Sequence, residues 1–512
     1  MTDHELMLQL TEQNKQLTSL VQQLSDQNKW LMEQLKNLQR RHFGQSSEQN
    51  ANEGQLSLFE TPTVEESPEV APTPVAAHTR KPAKKLAERL NPDLVTVEKR
   101  YFGLADTHCP NCRHQLDTIG QKAVRTTLEY IPARLVQHDN FAFTYKCPRC
   151  SADPKIDGDK LIQTPGPTAL MAHSVMTPSL ITEIVGEKYI LDVPLYRQRS
   201  EWKRRGWETT TASLSNAVIK CGEWLTPLYQ MLHEQLLKQD YLHGDETPIQ
   251  VLTEPNKTAT SKSYLWLITS NEGASKPAVY FAYDPTRSGK TAAKLYKGFE
   301  GTLQCDGYSG YHALPDTIRQ VGCWAHARRK FFNATHGSQK GQAKQALAKI
   351  DQLFMWERDW AALKPADRLA KRQETAAPLV EAFWATLSQT NVLPNSSLGK
   401  AVDYAIGQKD RLNVFLEDGQ VVLSNNLAER SIKPSVMLRK NSLFSKSQAG
   451  AKANAMYLSF IESAKANQLD PKLYLNYLFE EIPEWGQNPD PVDLEAYLPW
   501  NIEPAVLKQD PK

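Results

Sequence analysis

The sequence predicts a multidomain α/β protein. A mixed-sheet core carrying a helical insertion follows a coiled coil, a small metal-binding domain and a helical region. Three observations predict this. Leu recurs at seven-residue intervals from Leu10 to Leu38. Two Cys-x-x-Cys pairs stand between residues 109 and 150. From Tyr241 onward, strand-like and helix-like runs succeed one another in the order βββαβ, and a further strand and helix follow.

The bulk numbers leave room for this organisation. A chain of 512 residues is long enough for several domains. Hydrophobic residues make up 40 % of it, and no run of about 18 apolar residues occurs, so no membrane-spanning helix is predicted. The opening MTDHELMLQL has neither a basic start nor a continuous apolar stretch, so no secretory signal is expected and the predicted location is cytoplasmic. In that reducing compartment the seven Cys read as metal ligands or free thiols rather than disulfides. A net charge of +2 says little about partners, so any nucleic-acid argument rests on local basic clusters.

Residues 1–43 read as a leucine-zipper coiled coil. Leu10, Leu17, Leu24, Leu31 and Leu38 keep the heptad, and Asn14, Val21, Asn28 and Leu35 follow four residues after the first four. Leu at d with Val at a favours two parallel strands, and Asn at a fixes register at some cost in stability, so a homodimer through this helix is expected. A helix packed on its own domain is the weaker alternative, because Gln, Asn and Lys fill nearly every other position. Residues 44–86 are rich in Pro, Glu, Thr and Ala, lack an apolar period and end in TRKPAKK, which reads as a disordered linker. Its basic end either touches phosphates or is a solvated tail.

Residues 87–165 contain CPNC (Cys109, Cys112) and CPRC (Cys147, Cys150). Two tight Cys-x-x-Cys turns can wrap one tetrahedral Zn²⁺, and a closed four-cysteine site is structural because it leaves no position open for chemistry. The 34 residues between the pairs exceed the usual ribbon spacing, and VRTTLEYIPARLVQHDNFAFTYKC reads as strands that return the second pair to the first. Cys221, Cys305 and Cys323 read as buried thiols.

Residues 166–238 read as helical, with a helix, a turn at Gly206 and a second helix opened by a Thr run. The first helix is basic (Arg197, Arg199, Lys203, Arg204, Arg205), and Ser213, Asn216 and Lys220 on the second could face a DNA groove. An ordinary helical hairpin with a solvated basic face fits the same pattern.

Residues 239–334 form the first part of the core and 416–445 the second, separated by a helical insertion at 335–415. The strand order is that of a ribonuclease H-like fold. It places Asp245, in YLHGDETPIQVL, on the first strand and Asp306, in GTLQCDGYSGYH, at the end of the fourth, its predicted neighbour. Glu429, in SNNLAERSIKP, lies 123 residues beyond Asp306, early in a helix that Ser424 or Asn425 can cap and that Pro434 should kink or end. Two Asp and one Glu brought together make a hard oxygen site for Mg²⁺ or Mn²⁺ of the kind that supports in-line attack on a phosphodiester. Singly, each carboxylate could be turn chemistry, or for Glu429 an i,i+4 pair with Lys433. Glu246 is the obvious competitor but should point to the opposite face from Asp245. Basic residues accompany the site. His326, Arg328, Arg329 and Lys330 in GCWAHARRKFF, together with Arg430 and Lys433, are candidate contacts for double-stranded DNA. Residues 446–512 read as a helical tail with Asp470 as a cap and Pro471 in the first turn, packing on the core and supplying no chemistry.

GDETP, CDGYSGY, GCWAHARRKF, NNLAERSIKP, RKNSLF, the zipper with the RRHFGQSSE after it, the paired Cys-x-x-Cys motifs and LDPKLYLNYL together resemble the insertion sequence 66 family of transposases. The resemblance covers nearly the whole chain in order. It implies a bacterial, DNA-associated DDE transposase that uses Mg²⁺ to cut element ends and join them to target DNA, with Asp245, Asp306 and Glu429 as its triad. It also implies short accessory proteins encoded by the same element. The family has Asp before the paired Asn where this chain has Ser424. The alternative is a transposase-derived DNA-binding protein whose catalytic centre is unused.

Overall fold

The structure, a computed structural model, describes residues 135–141, 143–146, 161–163, 169–171, 174–335, 341–390, 392–393, 395–486 and 489–508, with Lys15 and Gln27. The heptad leucines, the 44–86 linker and the four cysteines of the Cys-x-x-Cys pairs lie outside the described residues. Two short strands, β1 (Thr144–Lys146) and β2 (Leu161–Gln163), pair antiparallel. β1 belongs to the run expected to form strands between the two cysteine pairs, and the rest of that run before residue 135 lies outside the described residues.

Four helices come next: α1 (Pro178–Tyr189), α2 (Leu195–Arg204), α3 (Thr211–Trp224) and α4 (Thr226–Leu236). The chain turns between α2 and α3 at Gly206, whose φ is +95°. Thr210 then caps α3 by accepting from the Ser213 N–H at 3.0 Å. On α3, Leu214, Ala217, Val218 and Cys221 face the core, whereas Ser213, Asn216 and Lys220 are exposed along one side.

The sheet is built from β3 (Tyr241–Gln250), β4 (Lys262–Ser270), β5 (Val279–Asp284), β6 (Thr302–Gln304) and β7 (Arg319–Val321), with α5 (Gly289–Leu295) between β5 and β6 and α6 (Trp324–Thr335) after β7. Its order is β5-β4-β3-β6-β7. β3, β4 and β5 run antiparallel to one another in turn, and β6 and β7 run parallel to β3. The parallel register pairs Tyr241 with Thr302 and His243 with Gln304. Asp245, midway along β3, and Asp306, two residues past β6, therefore both stand two residues beyond the last parallel pair, His243 with Gln304.

Residues 342–413 supply five helices: α7 (Gln342–Asp359), α8 (Pro365–Lys371), α9 (Ala377–Ser388), α10 (Ser397–Gly407) and α11 (Lys409–Asn413). A π-helical turn, Arg372–Ala376, joins α8 to α9. Together with α6 these helices enclose a hydrophobic core of their own around Trp324, Phe331, Ile350, Phe383 and Phe415. A larger core lies between the sheet, the first four helices and the C-terminal helices.

Four helices close the chain: α12 (Asn426–Ser442), α13 (Gln448–Ala466), α14 (Pro471–Glu481) and α15 (Pro491–Glu495). Of the two outcomes expected at Pro434, a kink or an end, the helix does not end there and runs on to Ser442. Proline removes one N–H from the ladder, and Arg430, whose carbonyl loses that donor, is exposed to water. α13 packs along β5, the sheet edge. There the N–H groups of Val279 and Phe281 donate to Ser463 Oγ at 2.9 Å and Ser459 Oγ at 2.8 Å, so the edge strand has no bare donors at those positions. Asp470 caps α14 through the N–H groups of Lys472 (2.8 Å) and Leu473 (3.0 Å), with Pro471 at the first helical position. Among the described residues no helix is long and apolar enough to cross a membrane.

Candidate active site

The centre of the sheet sets the site. Strand alternation sends Asp245 and Glu246 to opposite faces. Glu246 is buried against α5 and the turn after β6, where Arg287 Nε donates to it at 2.7 Å and Tyr311 Oη at 2.8 Å. The Arg287 guanidinium in turn lies over the Tyr308 ring, 3.7 Å from its centroid. Gly244, between the two strands' contacts, has no room for a side chain, because a Cβ there would come 2.3 Å from Tyr296 Oη. Asp245 shares the other face with His243, beneath the start of α12.

Asp245 is half-buried, and its Oδ1 accepts from the Glu246 N–H at 2.8 Å. Burial raises its pKa, the Glu246, Asp306 and Glu429 carboxylates add to the effect, and together they push it up to about 8 despite that hydrogen bond. Burial and the Asp306 charge also raise Glu246, against the opposing pull of Arg287. Asp306 Oδ1 accepts from the Tyr308 N–H at 2.9 Å, a local turn that fixes the carboxylate just beyond β6. Gly307 follows it because a Cβ would come 2.6 Å from the ring of Tyr404 on α10.

Glu429 enters from the first turn of α12. Its Oε2 is 3.6 Å from Arg329 Nη2 and its Oε1 is 3.9 Å from His326 Nε2, both on α6. Oε1 is buried and has no hydrogen-bond partner, and the same holds for His326 Nδ1. Burial lowers the pKa of His326, while Asp306 and Glu429 oppose that shift. The i,i+4 partner considered for Glu429, Lys433, is exposed, and Glu429 is engaged by α6 instead.

Asp245, Asp306 and Glu429 thus share one electrostatic neighbourhood. They do not form one tight ligand set. Among the described residues, the metal-type cluster whose ligand atoms all lie within 4.8 Å of one another is Cys323, His326 and Glu429, and Asp245 and Asp306 stand outside it. The carboxylates nonetheless suit a hard cation, because burial and neighbouring carboxylates disfavour charge on Asp245 and Glu429 Oε1 has no hydrogen-bond partner.

The basic candidates divide. Arg329 and His326 face Glu429, and Arg430 and Lys433 are exposed along α12. Arg328 turns away to Asp351 on α7 at 2.6 Å, and Lys330 lies over the Tyr404 ring at 4.7 Å. Arg204 pairs with Glu201, and Arg205 is held by Glu201 (3.1 Å), Glu187 (3.7 Å) and the Trp202 ring. The basic run of α2 is therefore not a free cationic face, since Glu187 and Glu201 answer two of its arginines.

Two residues in the site escaped the sequence reading in their real roles. Arg287 carried no signal beyond a polar turn. Asn425, expected to cap α12, makes no side-chain cap. Fully buried, it spends its side chain on β3, with Nδ2 donating to the Gly244 carbonyl at 2.7 Å and Oδ1 lying 3.0 Å from His243 Nδ1. The other ring nitrogen of His243 is 3.0 Å from the Asn271 side-chain amide. Asn425 thereby ties the helix of Glu429 to the strand of Asp245.

Residues 173–453, more than half of the chain, match the family described as "Transposase IS66 family". Residues 30–98 match "Transposase C of IS166 homeodomain", 106–151 match "zinc-finger binding domain of transposase IS66", and 459–500 match "IS66 C-terminal element". The 106–151 match contains Cys109, Cys112, Cys147 and Cys150 and supports a structural zinc there. Among similar proteins, the uncharacterized protein y4hP of Sinorhizobium fredii (strain NBRC 101917 / NGR234) is 28 % identical over 509 residues, covering 92 % of this chain and 88 % of that protein. The uncharacterized protein y4qI of the same organism is 29 % identical over 364 residues, covering 68 % and 67 %. With four matches in chain order and one of them spanning the sheet, α6 and α12, the chain belongs to the transposase IS66 family.

Proposed function

We propose that this chain is a DDE transposase, a polynucleotidyl transferase that cuts the ends of an insertion element and joins them to target DNA. In this reading Asp245, Asp306 and Glu429 are its catalytic carboxylates, carried on a ribonuclease H-like core. The observation that carries it is Asp245. Burial first, then the neighbouring Glu246, Asp306 and Glu429 carboxylates, push that carboxyl up to about 8, and a bound cation would relieve both causes. The order of three antiparallel strands, then two parallel ones, supports the core assignment.

The three carboxylates would hold Mg²⁺ or Mn²⁺, which when bound stabilises charge on the attacking and leaving oxygens of a phosphodiester. The chain's own residues then position the substrate. Arg329 sits beside Glu429 and offsets phosphate charge near the scissile bond, while His326, whose pKa burial lowers, offers a hydrogen bond there. Arg430 and Lys433 bind backbone phosphates of double-stranded DNA from the outer side of the same helix. Arg287 neutralises Glu246, which leaves that carboxylate as a structural ion pair behind the site. The zipper joins two copies, Cys109, Cys112, Cys147 and Cys150 hold the structural Zn²⁺, and short proteins of the same element assist.

The test is strand cleavage and joining on flanked element ends with Mg²⁺ or Mn²⁺, with wild type compared against Asp245→Asn and Glu429→Gln. Metal-dependent joining that both folded, DNA-binding variants lose is the expected result. Joining retained by either variant removes that residue from the triad. A second reading, a catalytically inactive transposase-derived DNA-binding protein, is favoured by the position of Asp245 and Asp306 outside the tight ligand set of Glu429 and by Ser424. It prevails if folded wild type binds the ends and, with the accessory proteins supplied, cuts nothing.

A further inference from the structure

Cys323 sits in the two-residue link from β7 to α6, and the sequence assigns it nothing beyond a buried thiol. In the structure its Sγ, a ring nitrogen of His326 and a carboxylate oxygen of Glu429 lie within 4.8 Å of one another. Cys323 and His326 are three residues apart across the start of α6, and Glu429 reaches them from α12. The donor set differs in kind from three carboxylates. Thiolate, imidazole and one carboxylate suit an ion of the Zn²⁺ class, whereas Mg²⁺ favours oxygen alone.

Independent features point to an ion at this place. His326 Nδ1 and Glu429 Oε1 are both buried without hydrogen-bond partners, so two of the three side chains carry unspent donor capacity. Arg329 occupies the other carboxylate oxygen, Oε2, and leaves Oε1 free. Burial pushes the Cys323 thiol up to about 11, against the Asn425 backbone N–H that donates to its Sγ at 3.2 Å, so an ion seated here would displace the thiol proton as it binds. Three protein ligands would leave a fourth tetrahedral position open for water.

We propose that Cys323, His326 and Glu429 form a second cation site, selective for a thiophilic divalent ion and separate from the four-cysteine site of residues 87–165. Its consequence for activity rests on the transposase reading. Because Glu429 belongs to both sets, a thiophilic ion seated here withdraws that carboxylate from the hard-cation centre and inhibits cleavage.

The experiment is a Co²⁺ titration of the full-length, Zn²⁺-loaded protein under reducing conditions, following thiolate-to-cobalt absorption. Wild type should take up one equivalent with a thiolate band. Cys323→Ser should lose the band, and Glu429→Gln, which keeps the side chain's size and removes only its charge, should weaken uptake at least tenfold. Equal uptake by wild type and Cys323→Ser overturns the site, as does undiminished affinity in Glu429→Gln. In the Mg²⁺ cleavage assay, added Zn²⁺ should inhibit wild type and spare Cys323→Ser, each relative to its own uninhibited rate. Equal inhibition of the two overturns the regulatory consequence. If no Mg²⁺-dependent cleavage exists to inhibit, the transposase reading fails on its own, and the Co²⁺ titration still decides the site.

Discussion

Replacing Asp245 by Asn should stabilise the metal-free protein, and by an amount that depends on pH. The native carboxyl is held at about 8 by burial and by Glu246, Asp306 and Glu429, whereas an unfolded Asp titrates near 3.9. Below about pH 4 the group is neutral in both states and contributes nothing. As pH rises from about 4 to about 8 the unfolded chain releases the proton while the native chain keeps it, so the native state loses stability throughout that window. Above about 8 both states are ionised and the loss is constant. At about 1.4 kcal/mol per pH unit the displacement caps the loss at about 6 kcal/mol. Water reaching a half-buried carboxylate and relaxation of its neighbours bring the expected gain in the variant to about 2–3 kcal/mol. Asn keeps the side-chain oxygen that accepts from the Glu246 N–H, so the substitution removes the charge and little else.

The assay is a thermal melt in chelator at a series of pH values. At about 2–4 °C per kcal/mol for a cooperative unit of about 150–250 residues, the variant should melt about 4–12 °C above wild type at pH 8 and coincide with it near pH 4. Equal midpoints at pH 8, or a gap that does not open with pH, would show that Asp245 is solvated like a surface carboxylate. That result would remove the main physical support for a cation site there.

Three further outcomes follow from the same geometry. Mg²⁺ or Mn²⁺ at about 100 times its dissociation constant should stabilise wild type by about 2.7 kcal/mol and Asp245→Asn by clearly less, read as metal-dependent melting shifts. Arg372→Met should cost about 3–5 kcal/mol in a melt, because Arg372 is fully buried and its loss strands Glu357 and the carbonyls of Phe415, Asp418 and Val421; an unchanged midpoint would refute it. Arg430→Ala and Lys433→Ala should each weaken DNA binding across all sequences and reduce the salt slope by about 0.9, while Arg204→Ala, already paired with Glu201, should leave the slope alone.

What the sequence made legible was whatever is written locally or periodically. Strand runs bounded by turn residues placed Asp245 and Asp306 on neighbouring strands, and the Asp470-Pro471 pair marked its helix start. Arg287 was not legible because its partner Glu246 lies 41 residues away, and nothing local in DPTRSGK announces the pairing. Asn425 was misread for a related reason. Asn before a helix ordinarily caps it, but burial gives this side chain a stronger demand, the Gly244 carbonyl and His243 across more than 180 residues of chain. The pairing of Arg204 and Arg205 with Glu201 was legible, since Glu201 stands three and four residues before them on the same helix face, the spacing at which opposite charges meet.

The 123 residues between Asp306 and Glu429 hold a part that sets where Glu429 can be. The segment leading into α12 is held by groups from several other elements. Arg372, in the π turn of the inserted helices, grips the carbonyls of Phe415, Asp418 and Val421 at 2.7–3.0 Å. The Val422 N–H donates to Tyr241 Oη at 3.2 Å, and the Leu423 carbonyl accepts from the Trp324 N–H at 2.8 Å. Asn425 then closes the path onto β3 and Cys323. The same insertion brings Tyr404 against Gly307, beside Asp306. One packed helical core therefore touches both the strand end that carries Asp306 and the approach to the helix that carries Glu429. Loosening that core would remove the support of the approach to Glu429 and the Tyr404 contact beside Asp306 together, while Asp245 stays on β3. The distance from the proposed third carboxylate to the other two thus depends on the insertion's packing around Trp324 and Arg372 as well as on the tie from Asn425 to β3.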